Sequence, residues 1–231
     1  MHVSAKKNGE LFFETYVKSL NSVTIVDVGS MDVNGSLKEV IPKNSKYIGV
    51  DSAEGKGVDK VLKDPYNLPF ENNSVDVVVS SSCLEHSELF WLSFIEIIRI
   101  LKPNGLFYLN APSNGAFHRY PVDCWRFYPD SGNALVKWAK KNGFNTLLLE
   151  SFTSNQDNQD LIRWNDYVAV FLKDEKFVNE HPNRIISKIY NFTNGTTFEH
   201  KDFLNSQKLS EDQVRLKLIE EFLKGNIKTN K

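Results

Sequence analysis

Apolar runs and stretches of helical periodicity alternate along the chain. Val23–Val28, Tyr47–Val50 and Val75–Val79 are almost continuously hydrophobic. Runs of this length and composition read as strands buried on both faces of a parallel sheet. Between them, apolar residues recur every three or four positions. Leu11, Phe12, Tyr16 and Leu20 predict a helix ahead of the first strand, lying over the ligand cleft of the sheet. Phe90, Phe94, Ile97, Ile98 and Leu101 form one face of a helix that stops before Pro103-Asn104-Gly105. Leu106–Leu109 is a further strand. Another helix starts around Pro129-Asp130-Ser131, turns Leu135, Trp138 and Ala139 inward and ends at Asn142-Gly143. Phe144–Phe152 and Tyr167–Leu172 supply two late strands. Alternation of this kind predicts an α/β fold, a mostly parallel Rossmann-like sheet with helices on both faces.

Beyond about residue 174 the pattern fades. Asn194-Gly195 reads as a turn, and Ser210–Lys224 as a short amphipathic helix carrying Val214, Leu216, Leu218, Ile219 and Phe222. The expected organisation is one domain over 1–173 and a mostly helical, dependent extension over 174–231 that packs on its surface. A homo-oligomer contact and a substrate lid are the alternatives for that extension.

The end of the first strand narrows the chemistry. Asp27-Val28-Gly29 closes an apolar run with a glycine that lets backbone approach a ligand, and Gly35 relieves crowding around the turn, in a stretch that can open a helix. The second run ends about 22 residues after Gly29 in Asp51, a position suited to accepting hydrogen bonds from ribose hydroxyls. A dinucleotide site would present Gly-x-Gly-x-x-Gly so that helix-terminal amides hold a pyrophosphate. Here Met31 and Asn34 stand where the second and third glycines would be. S-adenosylmethionine carries no phosphate, has a sulfonium and an ammonium group, and tolerates an acid such as Asp27 nearby. Each feature alone also reads as an ordinary turn, and the conjunction carries the inference.

Composition excludes several classes. With 231 residues and a formal net charge of −1, the chain offers no basic stripe for a phosphate backbone. Nucleic acid is therefore not expected as a partner. No run approaches the ~20 apolar residues of a membrane span, the N-terminus lacks an apolar signal core, and Cys83 and Cys124 suggest no disulfide framework. A cytoplasmic location is expected, which makes the acceptor patterns at Asn72-Asn73-Ser74 and Asn191-Phe192-Thr193 chance matches.

Three more blocks follow the opening turn. They are Lys63-Asp64-Pro65 through Phe70, Asn73–His86 with its Ser80-Ser81-Ser82-Cys83-Leu84-Glu85 stretch, and Leu101-Lys102-Pro103-Asn104-Gly105. Together with Asp27–Ser36 they resemble the class I S-adenosylmethionine-dependent methyltransferases over roughly residues 20 to 173. The resemblance implies that the late strands form an antiparallel edge hairpin. It also implies cofactor contacts from Asp27, Gly29 and Ser30, from Asp51 and Ser52, from Asp64 and Pro65 at the adenine, and from Ser80 and Ser81 at the methionine end.

The segment Asn110–Asp130 leaves the carboxyl end of a strand, where ligands bind in open α/β sheets. It is richer in imidazole, guanidinium, carboxylate and aromatic groups than a connector needs. Trp125, Phe127 and Tyr128 also suit a core beneath the loop. Its His118-x-Tyr120-Pro121-x-Asp123-x-Trp125-Arg126-Phe127 pattern, with Trp164–Lys173 as a second element, resembles small type-11-like methyltransferases linked to bacterial surface-sugar pathways. That resemblance implies a small polar acceptor, an oxygen of a sugar, sugar nucleotide or phosphate-bearing metabolite. His118 is the first candidate for general base, Asp123 orients it or acts itself, and His86 is the rival. Arg119 and Arg126 suit an anionic acceptor, with Tyr120 and Trp125 as further contacts. No metal is expected, since His86, His118 and His181 show no ligand spacing. The absence of an Asn/Asp-Pro-Pro-aromatic turn after Ser80 argues against methylation of a nucleic-acid base nitrogen. A non-catalytic protein of the same fold and another Rossmann-type nucleotide enzyme are the competing readings.

Overall fold

The computed structural model describes residues 2–155 and 164–227. Eight strands form one sheet in the order β3-β2-β1-β4-β5-β7-β6-β8. They are β1 (Thr24–Val28), β2 (Lys46–Asp51), β3 (Lys60–Val61), β4 (Val75–Ser81), β5 (Leu101–Pro112), β6 (Leu147–Ser154), β7 (Asp166–Leu172) and β8 (Phe192–Thr197). Strands β1 to β5 pair in parallel, while β7, β6 and β8 run antiparallel at one edge. The expected late hairpin is β6–β7.

Alternation along each strand divides the core in two. Val26, Val78, Phe107 and Phe171 face α2 (Phe90–Ile100) and α3 (Ser131–Lys141), which contribute Phe94, Ile97, Ile98, Leu135 and Ala139. Ile25, Val77, Tyr108 and Val170 face the other way. That second face is covered by α1 (Val3–Phe12), the π turn Phe13–Val17 and the segment holding Ile185 and Ile186. Leu20, expected on this helix, lies past its end and is exposed.

The reason for this division lies in the β1–β2 connection. The stretch after Gly29 has the length to open a helix, but the described chain has only a 3-10 turn there, Leu37–Glu39. Asp32 accepts from the Gly35 amide at 2.7 Å, Ser36 caps a single turn at the Lys38 amide, and Pro42 follows. Asx turn, left-handed glycine and proline leave no room for a second helical turn.

Glu150 ties the N-terminal helical segment and the Ile185–Ile186 segment to the sheet. Wholly buried on β6, it accepts from the Tyr16 hydroxyl and from the amides of Ile185 and Ile186 at 2.7 and 3.0 Å. Burial pushes its pKa up.

The extension is less helical than its composition suggests. Asn194-Gly195 is not a hairpin tip: both lie inside β8, with Asn194 in the left-handed region at φ 49° and paired through its amide side chain to Gln207. They mark a bulge where the register against β6 shifts. The helix α4 (Glu211–Leu223) carries a Ser210–Gln213 capping box and docks by polar contacts. Glu211 accepts from Ser113 at 2.9 Å, Asp212 from Asn114 at 3.0 Å, and Arg215 donates to Asn165 at 2.7 Å. Its apolar residues Leu216, Leu218, Phe222 and Leu223 remain exposed. No helix among the described residues is long and apolar enough to cross a membrane.

Candidate cofactor and acceptor cleft

Strand order reverses at β1, with β2 on one side and β4 on the other. The carboxyl ends of these strands therefore diverge and leave a crevice. It is a cleft of about 1120 Å³. Asp27, Gly29 and Ser30 line it from β1, Asp51 and Ser52 from β2, Pro65 and Tyr66 from the following turn, and Ser81 to Glu88 from β4. His118 to Val122 of the β5–α3 loop add a wall, and Tyr120 reaches Met31 across it, hydroxyl to sulfur at 3.6 Å.

Asp27 is 4% exposed. Burial raises its pKa to about 7, against a hydrogen bond from the Tyr47 hydroxyl at 2.7 Å that works the other way; the Asp51 charge raises it further. Asp51 is held at the strand tip by three backbone amides, Ser52 at 2.7 Å, Ala53 at 3.4 Å and Met31 at 3.1 Å. Gly29 adopts φ +84°, and a Cβ there would meet the Cys83 sulfur at 2.3 Å. The glycine is thus required by the packing of the two strand ends as well as by the cleft. Ser30 is buried in the lining, and its Oγ has no hydrogen-bond partner among the described residues.

Several expected residues stand elsewhere. Ser80 is fully buried and donates to the Val28 carbonyl at 2.9 Å, joining β4 to β1. Asp64 is exposed and accepts from the Tyr66 amide at 2.9 Å as an ordinary Asx turn; its neighbour Pro65 reaches the cleft. Trp125 donates its indole N–H to the Ser87 carbonyl at 2.9 Å and packs edge-on against Phe90 and Trp91, so it braces the wall from outside. Phe127 belongs to the core, whereas Tyr128 is exposed.

Asp123 and Arg126 form a unit of their own. The Asp123 carboxylate is 1% exposed and takes two bonds from the Arg126 guanidinium, 2.6 and 2.8 Å, and one from the His118 amide at 2.7 Å. Arg126 holds its carboxyl far below the usual range. A carboxylate so committed is no proton acceptor at neutral pH, and neither residue lines the cleft. Arg126 also binds the Ala116 carbonyl at 2.8 Å, so the pair shapes the loop that carries His118. Arg119 and Tyr120 do line the cleft.

The structure brings His86 and His118 together, ring centroids 4.9 Å apart, with Trp164 the same distance beyond His118. His86 Nδ1 donates to the Val122 carbonyl at 2.5 Å, and burial lowers its pKa, so the ring is neutral at pH 7 with Nε2 unprotonated. Glu85 is a site residue that sequence reasoning misses. It is 1% exposed, lines the cleft, has one carboxylate oxygen without a partner among the described residues, and is raised by burial to about 8. Its carbonyl accepts from the amides of Cys124 and Trp125 at 2.8 and 3.2 Å, which docks the turn after β4 onto the β5–α3 loop.

Residues 16–109 match the family model described as a methyltransferase domain. A phthiotriol/phenolphthiotriol dimycocerosates methyltransferase of Mycobacterium leprae is 33% identical over 112 residues, which are 46% of this chain and 37% of that protein. A demethylmenaquinone methyltransferase of Staphylococcus saprophyticus is 27% identical over 158 residues, 57% of this chain and 66% of that protein. The chain thus spans less than two thirds of either relative. Among solved structures, the Burkholderia thailandensis 1,6-didemethyltoxoflavin-N1-methyltransferase with S-adenosylhomocysteine superposes with a TM-score of 0.56 at 13% identity, covering 74% of this chain and 79% of that one. The sheet and its switch-point cleft share the fold of that solved methyltransferase, and the methyltransferase-domain match covers residues 16–109 of the chain.

Proposed function

We propose that the protein transfers a methyl group from S-adenosylmethionine to an oxygen of a small polar acceptor, a sugar, sugar nucleotide or phosphate-bearing metabolite. The observation that carries the cofactor reading is the pair of carboxylates at adjacent strand tips with no helix N-terminus after Gly29. Asp27 pairs with the ammonium of the methionine end, and Asp51 accepts from the ribose hydroxyls. A pyrophosphate would instead meet these acids without helix-terminal amides to hold it, which disfavours a nicotinamide cofactor.

On the acceptor side, His86, Glu88, His118, Arg119 and Tyr120 present polar groups from two loops. The two curated relatives are named for a dimycocerosate and a demethylmenaquinone acceptor. The lining of the cleft is largely apolar, and the choice of a polar acceptor rests on Arg119, which is available there to an anionic group. Methyl transfer from a sulfonium is an in-line displacement, so alignment of donor and acceptor supplies much of the acceleration. A hydroxyl acceptor must also lose its proton, and the candidates to take it are the adjacent imidazoles of His118 and His86, the latter kept neutral by burial.

The test is S-adenosylhomocysteine release with a panel of sugar nucleotides, sugar phosphates and free sugars. Turnover with a member of the panel, abolished by omitting the methyl donor, supports the reading. Cofactor binding with no turnover on the panel, or turnover confined to quinones and lipids, refutes the proposed acceptor class.

A further inference from the structure

We propose that Glu85, His86 and His118 form a binding site for one divalent transition-metal ion, opening into the cleft. The three residues come from two elements, the turn after β4 and the β5–α3 loop. Each offers a ligand atom, and these atoms all lie within 4.8 Å of one another.

Hydrogen bonding has already set the imidazoles for this task. The acceptor opposite His86 Nδ1 is the carbonyl of Val122 at 2.5 Å, so Nδ1 carries the proton and Nε2 keeps its lone pair. Around His118 Nδ1 stand two further acceptors, the Ala116 carbonyl at 3.2 Å and the Asp123 carboxylate at 3.4 Å. His118 Nε2 is thereby freed in the same way. A carboxylate behind an imidazole, itself locked by an arginine, is the outer-shell arrangement that orients metal-bound histidines. It gives the buried Asp123–Arg126 pair a purpose that proton transfer does not.

Glu85 supplies the independent observation. Its side chain is 1% exposed, and Oε2 finds no hydrogen-bond partner among the described residues. Native proteins rarely bury a carboxylate oxygen unmatched. A cation beside Glu85 satisfies it. The Glu85 Oε1 to His86 Nε2 separation is 3.7 Å. Ligands about 2.0–2.2 Å from one ion lie roughly 3.0–3.5 Å apart, so atoms as much as 4.8 Å apart must draw in by roughly 1.3–1.8 Å. His118, whose side chain is 34% exposed on its loop, is free to make that movement.

Two imidazoles and one carboxylate select zinc, manganese, iron or cobalt over magnesium or calcium, which prefer all-oxygen ligands. The remaining coordination positions face the cleft. This role rests on the methyl-transfer reading. With the ion bound, His86 and His118 would serve as its ligands and no longer as the base; the ion would bind the acceptor hydroxyl and lower its pKa, and the proton would leave to water. An oxygen electron pair then forms the new bond to the methyl carbon, while the carbon–sulfur bond breaks with its pair going to sulfur.

The experiment uses the full chain, free of any affinity tag and stripped with chelator. Titration with Co²⁺ is followed by visible absorption, and S-adenosylmethionine binding is measured separately by calorimetry. The expected result is one Co²⁺ per chain with ligand-field bands. Glu85→Gln, His86→Gln and His118→Gln should each weaken Co²⁺ binding by at least ~10-fold. Because Glu85 is buried, the decisive variant is His118→Gln, at a partly exposed position, shown folded by circular dichroism. Absence of Co²⁺ binding, or binding that His118→Gln leaves unchanged, overturns the site. Cofactor binding without Co²⁺ binding would overturn the metal site alone; Co²⁺ binding without cofactor binding would support the site and refute the methyl-transfer role.

Discussion

Replacing Asp27 by Asn tests whether the cleft stores an unfavourable charge. Asp27 titrates near pH 7 in the fold against an ordinary 3.8, mainly because burial penalises the carboxylate. Between those values the folded protein keeps a proton that the unfolded chain has lost, so this residue's contribution to stability declines as pH rises. A gap of about three pH units at about 1.4 kcal/mol each amounts to ~4 kcal/mol in total. Asn retains the shape and can still accept from the Tyr47 hydroxyl, but it does not ionise. The variant should therefore gain stability relative to the parent by about 3 kcal/mol between pH 5 and pH 8, read from urea unfolding. Glu85, also raised by burial, contributes the same slope to both proteins and cancels in the difference. An ammonium group beside Asp27 would reverse the penalty. Parent affinity for S-adenosylmethionine should thus fall up to tenfold per unit below pH 7, while the variant binds weakly with no such dependence. Stability curves that run parallel from pH 5 to pH 8 would refute the buried, high-pKa carboxylate.

Other substitutions separate the remaining roles. Asp51→Ala should weaken cofactor binding roughly 10- to 100-fold, because one or two charge-assisted hydrogen bonds to ribose are lost; an unchanged Kd by calorimetry would place the ribose elsewhere. His118→Ala should lower kcat on the true acceptor by roughly 10²–10⁴ with cofactor affinity preserved, and equal kcat would remove His118 from the chemistry. Gly29→Ala should cost ~2 kcal/mol or more in chemical denaturation, since φ is +84° and the new Cβ collides with Cys83; a neutral result would mean that the turn can reshape.

Much of the scaffold is written in hydrophobic periodicity. The ends of β1, β2, β4 and β7 fall within a residue or two of the apolar runs, because strands buried on both faces leave no polar alternation to confuse them. The strand β8 is hidden for the opposite reason. Phe192-Thr193-Asn194-Gly195-Thr196-Thr197 has one large apolar residue and a dipeptide that normally marks a turn, and its pairing with β6 comes from tertiary context. The missing helix after β1 misleads in a similar way, since spacing alone does not reveal that Asp32, Gly35 and Ser36 consume the chain in turns.

The site is legible where strand tips define it, at Asp27, Gly29 and Asp51. It is illegible where loops fold back. Glu85 looks like a solvated residue of a polar turn, and only its backbone bonds to Cys124 and Trp125 bring it beside His118. Asp123 and Arg126 read as reactive groups, yet at three residues apart they satisfy one another. Trp125 likewise spends its indole N–H on the Ser87 carbonyl. A sequence names the functional groups in a loop without saying which of them are already bonded to each other.

The central claim, that the switch-point cleft holds S-adenosylmethionine, is tested most directly by calorimetric titration of the folded protein with S-adenosylmethionine and S-adenosylhomocysteine. Saturable binding of one molecule per chain, displaced by neither NAD nor NADP and weakened by Asp51→Ala, is the predicted result. A folded protein that binds neither thioether nor sulfonium form, or that binds a nicotinamide dinucleotide in their place, would contradict it.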